Sequence, residues 1–142
     1  MSKNAESKNA EASQAALIAA AQAVRAHAHA PYSRFAVGAA VLDEQGRIHA
    51  GCNVENAAYP QGWCAEASAL AVMLAAGGKH VQAVAVCAEA DEVVTPCGGC
   101  RQKLREFAAG DCPVWAVDLT GVRGQYTLGG LLPHGFGPHH LK

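Results

Sequence analysis

The chain has 142 residues, 51% hydrophobic and 16% charged, with a formal net charge of -1. This balance fits one globular domain with its own core; it leaves no apolar run long enough to span a bilayer and no positive field to gather a nucleic-acid backbone. The expected substrate is therefore small. The first dozen residues lack the apolar stretch of a secretory signal, so the expected compartment is the cytoplasm. Six cysteines in such a chain point to metal binding or plain burial rather than to disulfides.

Ser2 to Glu6 and Ser7 to Glu11 repeat the pentapeptide SKNAE. The repeat carries nothing to bury, so residues 1–12 are expected to form a mobile polar tail and residues 13–142 the domain. Ser13 can cap an Ala-rich helix from Gln14 to His27, with Leu17, Ala20, Ala21 and Val24 on the face that packs on a sheet. His27 and His29 do not share a helix face and are expected in solvent or at the helix end. Pro31 ends the helix, and Val37 to Leu42 and Arg47 to Cys52 then read as a hairpin turning at Asp43-Glu-Gln-Gly46. Asn53 to Trp63 is a loop, and Cys64 opens a helix that stops at Gly77-Gly78.

Val81 to Ala88 is almost unbroken apolar sequence, as in a central strand covered on both faces. A second helix is expected from Gly98 to Ala108, a strand from Pro113 to Val117, a short strand from Gln125 to Thr127 and a brief helix from Leu128 to Leu132. Hairpin followed by strand-helix alternation gives the fold class as α/β, a three-layer α/β/α sandwich with a central mixed sheet. The basic cluster Arg101, Lys103 and Arg105, with Glu106 beside it, has the spacing of a solvated helix face.

Cys97-Gly-Gly-Cys100 brings two thiols to one side of a helix start. Alone, the pair fits a redox dithiol, half a structural zinc knot or half a catalytic site. Cys64 adds a third thiol at another helix start, where the dipole is expected to favour the thiolate, and three thiols at two helix starts favour a metal site. No fourth ligand has suitable spacing: Cys52, Cys87 and Cys112 lie in or beside apolar strands, and His49 and His80 flank strands without a paired partner. The fourth position is then left to water, as in catalytic zinc sites. Glu66, two residues after Cys64, can reach the same ion only if the ion lies off the helix end. That geometry suits an acid-base group beside the metal; the alternative role is a first-turn dipole partner.

Cys64-Ala-Glu66 followed by Pro96-Cys97-Gly-Gly-Cys100 resembles the C-x-E and P-C-x-x-C signature of cytidine deaminases. The likeness extends to Pro31-Tyr-Ser-Arg-Phe35, Gly51-Cys-Asn-Val-Glu-Asn56, Tyr59-Pro60, Arg101-Gln102, Glu106-Phe107 and the Leu131 to Pro138 region, and is similar to the small homotetrameric three-cysteine class. The resemblance implies one Zn2+ per subunit on Cys64, Cys97 and Cys100, an activated water that attacks C4 of the pyrimidine, and Glu66 relaying protons. It also implies that Asn53 and Glu55 bind the ribose hydroxyls and that Phe35 packs on the base. Ala57, Tyr59 and Phe136 would complete a pocket shared between subunits of a homotetramer.

The bland roles stay open for these residues: Asn53 in a turn, Glu55 as a loop charge, Phe35 in the core. The chain departs from the class at Ala67, where an arginine commonly bonds the zinc thiolates. The expected activity is hydrolytic deamination of cytidine or deoxycytidine, with no nucleic-acid or membrane partner. The alternatives are a deaminase of a modified cytidine or nucleoside antibiotic, and an inactive zinc-stabilised interaction or RNA-binding module.

Overall fold

A computed structural model describes residues 3–141, with side chains from residue 12 onward. Residues 1 and 2, where the expected tail starts, lie outside the described residues. The first helix, α1, runs Lys3–Val24 and continues as one 3-10 turn, Arg25–His27. It begins well before Gln14, and Ser13 lies within it rather than capping it. Ala, Glu and Lys are strong helix formers, and their propensity carries the helix back through sequence that lacks a face to bury.

The strands are β1 (Val37–Asp43), β2 (Ile48–Cys52), β3 (Val81–Ala88), β4 (Pro113–Asp118) and β5 (Gly121–Thr127). They form one sheet in the order β2-β1-β3-β4-β5, in which only β3 and β4 pair parallel. As its apolar run predicts, β3 is central, and Gln82 is its one exposed residue. The expected strand at Gln125 to Thr127 is only the end of β5, which starts at Gly121.

Helix α1 covers one face, where Leu17 and Ala21 pack with Ala40, Ala83, Ala85, Cys87, Trp115 and Val117. Helices α2 (Ala65–Ala75) and α3 (Gly98–Arg105) cover the other, over Ala39, Val41, Val84, Val86 and Val114. A four-residue helix, α4 (Leu128–Leu131), closes the same side. The result is the three-layer α/β/α sandwich with a mixed sheet. Two glycines set how closely the layers meet: a Cβ on Gly38 would lie 2.2 Å from the Ala21 carbonyl oxygen of α1, and one on Gly51 2.4 Å from the Ala69 nitrogen of α2. Burying the apolar faces of both helices is the main favourable contribution to this packing.

At the hairpin turn Asp43 is fully buried. Its carboxylate accepts bonds from the Gln45 and Arg47 amides at 2.8 and 2.9 Å, from Arg47 Nε at 2.9 Å and from His49 Nε2 at 2.8 Å. Burial pushes the Asp43 pKa up, but these bonds together hold it well below the usual carboxylate range. His49 is thus engaged by Asp43 at the hairpin, away from the cysteine cluster. The two tryptophans lie in contrasting settings: Trp115 is 8% exposed in the α1 layer and its indole N–H has no partner among the described residues, whereas Trp63 is 51% exposed beside Cys64.

Candidate metal centre and adjoining pocket

The connection from β2 to α2 is pinned at both ends. Val54 exchanges backbone bonds with Trp63 at 2.8 Å each way, and residues 53 and 55 bond to His29. This delivers Cys64 to the N-cap of α2 in an extended conformation, φ -75° and ψ 155°. Cys97 holds the same position on α3, at φ -64° and ψ 163°. Because Cys64 stands just outside the helix and Glu66 in its first turn, both face one pocket despite being two apart.

The sulfurs of Cys64 and Cys97 are 4.0 Å apart, and those of Cys64, Cys97 and Cys100 all lie within 4.8 Å of one another. Tetrahedral zinc with Zn–S bonds of about 2.3 Å needs sulfurs roughly 3.8 Å apart, so the cluster fits a zinc ion with small adjustment. Cys100 is buried, while Cys64 and Cys97 open toward solvent. The thiols differ in acidity. Burial, with the nearby Cys97 and Glu66 charges, raises the pKa of Cys64. Burial, with the Glu66 and Cys64 charges, raises that of Cys100 further. Cys97 is lowered: burial opposes ionisation there too, but the Cys100 amide and the bonds from the Cys100 and Cys64 thiols outweigh it. The helix start thus does not lower Cys64 as the sequence suggested, and a bound cation has to favour its thiolate.

Glu66 is 4% exposed. Burial raises its pKa, against the opposing effects of its own backbone amide, the Cys100 thiol and the Lys103 charge. Ala67 is 5% exposed on α2. A pocket of about 300 Å³ opens over the cluster, lined by Phe35, Asn53, Glu55, Cys64, Glu66 and Cys97, with Ser33, Val86, Val94 and Thr95 among its walls. Of these four, Ser33 falls in the Pro31 to Phe35 stretch of the family resemblance, whereas Val86, Val94 and Thr95 were not singled out, because no motif marks a wall built from a strand end and a loop.

Asn53 Oδ1 accepts from the Val37 amide and Nδ2 donates to the Phe35 carbonyl, both at 2.8 Å. Each group keeps capacity for one further bond. Glu55 Oε1 accepts from the Tyr32 and Ser33 amides at 2.9 and 3.1 Å, and Oε2 accepts from the Ser33 hydroxyl. These bonds, the Ser33 side chain first, hold the Glu55 pKa down and keep it ionised. Asn53 and Glu55 therefore fix the loop carrying Phe35 as well as facing the pocket.

Ala57, Tyr59 and Phe136 do not line the pocket of their own chain. Tyr59 is 73% and Phe136 55% exposed. Tyr59 lines an adjoining cleft of about 320 Å³ that shares Ser33 and Glu55 with the first, and its ring lies 5.6 Å from that of Tyr32.

The basic cluster on α3 is not simply a solvated face. Arg101 donates to the Pro96 carbonyl at 2.7 Å, the Leu131 carbonyl at 2.8 Å and the Thr95 hydroxyl at 2.8 Å, bracing the segment that carries Cys97. Lys103 is exposed, as expected. The segment before it is tied down by Arg123, whose guanidinium donates to the carbonyls of Ala90 and Asp91.

The profile of the cytidine and deoxycytidylate deaminase zinc-binding region matches residues 11–116. The chain belongs to this zinc-binding deaminase family. Among its relatives, a cytidine deaminase of Sporosarcina psychrophila is 42% identical over 126 residues, 89% of this chain and 93% of that protein. A crystal structure of cytidine deaminase from Burkholderia pseudomallei superposes with a TM-score of 0.79 at 44% identity, covering 85% of this chain and 97% of the other. The enzyme from Mycobacterium tuberculosis gives 0.73 at 39% identity, covering 87% and 97%. Zinc is the metal of this deaminase family, and the three-sulfur cluster is chemically suited to it. Among the described residues no helix is long and apolar enough to cross a membrane.

Proposed function

We propose that this chain hydrolyses the 4-amino group of cytidine and deoxycytidine, releasing ammonia and leaving the uracil nucleoside. The observation that carries the reading is a buried carboxyl, Glu66, facing the same pocket as Cys64 and Cys97, whose sulfurs lie with that of the buried Cys100 within 4.8 Å of one another. The chemistry zinc supplies when held by Cys64, Cys97 and Cys100 is activation of water as a nucleophile at neutral pH. Glu66 takes a proton from the attacking water and gives it to ring N3, which makes C4 electrophilic. It then carries the second water proton to the 4-amino group. The C4–N bond breaks, ammonia departs and the C4 carbonyl remains, so atoms and charge balance with one carboxyl working in both directions.

Phe35 lies against the base, and the remaining bonding capacity of Asn53 and Glu55 serves the ribose hydroxyls. Ala57, Tyr59 and Phe136 act on the pocket of a neighbouring subunit in a homotetramer. Their absence from their own pocket and the exposure of both aromatic rings support this placement. The enzyme works in the cytoplasm in pyrimidine salvage, with residues 1–12 an appendage to the domain formed by 13–142. A spectrophotometric assay with cytidine, deoxycytidine, cytosine and N4-substituted cytidines, run beside zinc analysis, tests the reading. Turnover of both nucleosides by protein holding one zinc per chain is expected. Zinc-loaded protein inert toward both would overturn it.

A further inference from the structure

Helix α3 makes two sets of contacts. At its start Cys97 and Cys100 belong to the sulfur cluster. From the turn that follows, Gln102 Nε2 donates to the Phe136 carbonyl at 2.8 Å and Arg101 to the Leu131 carbonyl at 2.8 Å. Beyond them Gly137 passes so near Arg105 that a Cβ there would lie 3.1 Å from the guanidinium carbon. The arm following α4 thus hangs from the helix that supplies two of the three sulfurs. Within the arm the Phe136 ring stacks on His140, with centroids 4.9 Å apart and planes 9° from parallel, and a 3-10 turn runs Pro138–Leu141.

Alone, α3 is a poor helix. It has eight residues and starts with two glycines, which is too short and too weak in propensity to hold its own first turn. Its order comes from the buried Cys100 and Leu104 and from the Arg101 bonds to Thr95 and Pro96. An ion bridging the three sulfurs would add an anchor at this weak helix start, one turn before Gln102.

We propose that Gln102 is a positioning residue for Phe136, and that α3 transmits metal occupancy to the C-terminal arm, which is held in place when the cluster is filled and loosens when it is empty. The kinetic consequence rests on the reading that Phe136 closes a nucleoside pocket. The tether does not.

Hydrogen exchange on the full zinc-loaded chain tests this. Chelation should speed exchange in residues 132–141 about tenfold or more, the scale set by losing one net hydrogen bond. Added zinc should restore protection, with the core strand β3 unchanged throughout. Gln102→Ala should loosen the arm at full zinc content and raise KM more than it lowers kcat, and Gln102→Lys, which keeps an N–H donor, should recover both. Equal protection of the arm with and without zinc would overturn the link, as would equal loss in β3 and the arm. An arm unchanged in Gln102→Ala would overturn the tether. If Phe136→Ala leaves KM unaltered while Gln102→Ala still frees the arm, the closing role of Phe136 falls and the tether stands.

Discussion

A carboxyl that carries protons between water and a ring nitrogen must be shielded from bulk solvent yet open to the pocket, and Glu66 meets both conditions. Replacing it with glutamine keeps the shape and removes the proton transfer. Glu66→Gln is therefore expected to bind one zinc and fold normally while turnover falls by about 10⁴-fold, the upper end for a general acid-base group, because two transfers are lost. Metal analysis beside steady-state kinetics checks this, and near-normal kcat would remove Glu66 from the mechanism. The three cysteines and Glu66 were legible in the sequence because ligand spacing survives translation into helix starts. What was not legible was how their neighbours are occupied. Asn53 and Glu55 spend bonds on the backbone of the Phe35 loop, and Arg101 braces Thr95 and Pro96 instead of facing solvent. The Asn53 and Glu55 bonds reach backbone groups 16 and 23 residues away, and the Arg101 bonds depend on how the segment before α3 folds back, neither of which a side-chain pattern records.

Among the elements, the hairpin of β1 and β2 contains a buried charge with four donors, and its pH response follows from that. The Asp43 pKa lies below its ordinary value of 3.8, so its ionised form favours the folded state. That contribution is fully present above the unfolded value and is lost as pH falls through it toward the folded one. Asp43→Asn should lower the urea midpoint at pH 7, and the gap to the parent should narrow as pH drops below about 4. A gap independent of pH would show that the carboxylate's charge contributes nothing. Leu17, fully buried at the centre of the α1 layer, gives a second test: Leu17→Ala should cost about 2–5 kcal/mol in chemical denaturation without altering zinc content. Most elements were legible, β3 above all, since an unbroken apolar run has one natural place in a layered fold. The two poorly read elements fail for opposite reasons. β5 is an edge strand whose Arg123 and Gly124 break any apolar pattern, and its order comes from pairing with β4. α1 extends through residues of high helix propensity that carry no apolar period in the sequence.

At the scale of the molecule, the sheet separates two unlike layers: α1 alone on one face, and on the other α2, α3, the pocket and the C-terminal arm. The proposed sharing of pockets makes a prediction that a self-contained chain would not meet. Phe136→Ala should raise KM, and mixing it with Glu66→Gln under conditions that exchange subunits should regain activity above the sum of the separate proteins, because some pockets then combine an intact Glu66 with an intact Phe136. Sedimentation of a fully active monomer would exclude the arrangement. The same asymmetry separates the two tryptophans, Trp115 sealed beneath α1 and Trp63 exposed next to a metal ligand. The protein consequently carries its own pair of optical reporters. Iodide should quench one emitting population and spare the other, and chelating zinc should perturb only the quenchable, redder one. In Trp63→Phe the remaining emission should be blue, inaccessible to iodide and indifferent to zinc, yet lost on unfolding, so that a single fluorimeter can follow the metal site and the far layer of the fold as separate signals.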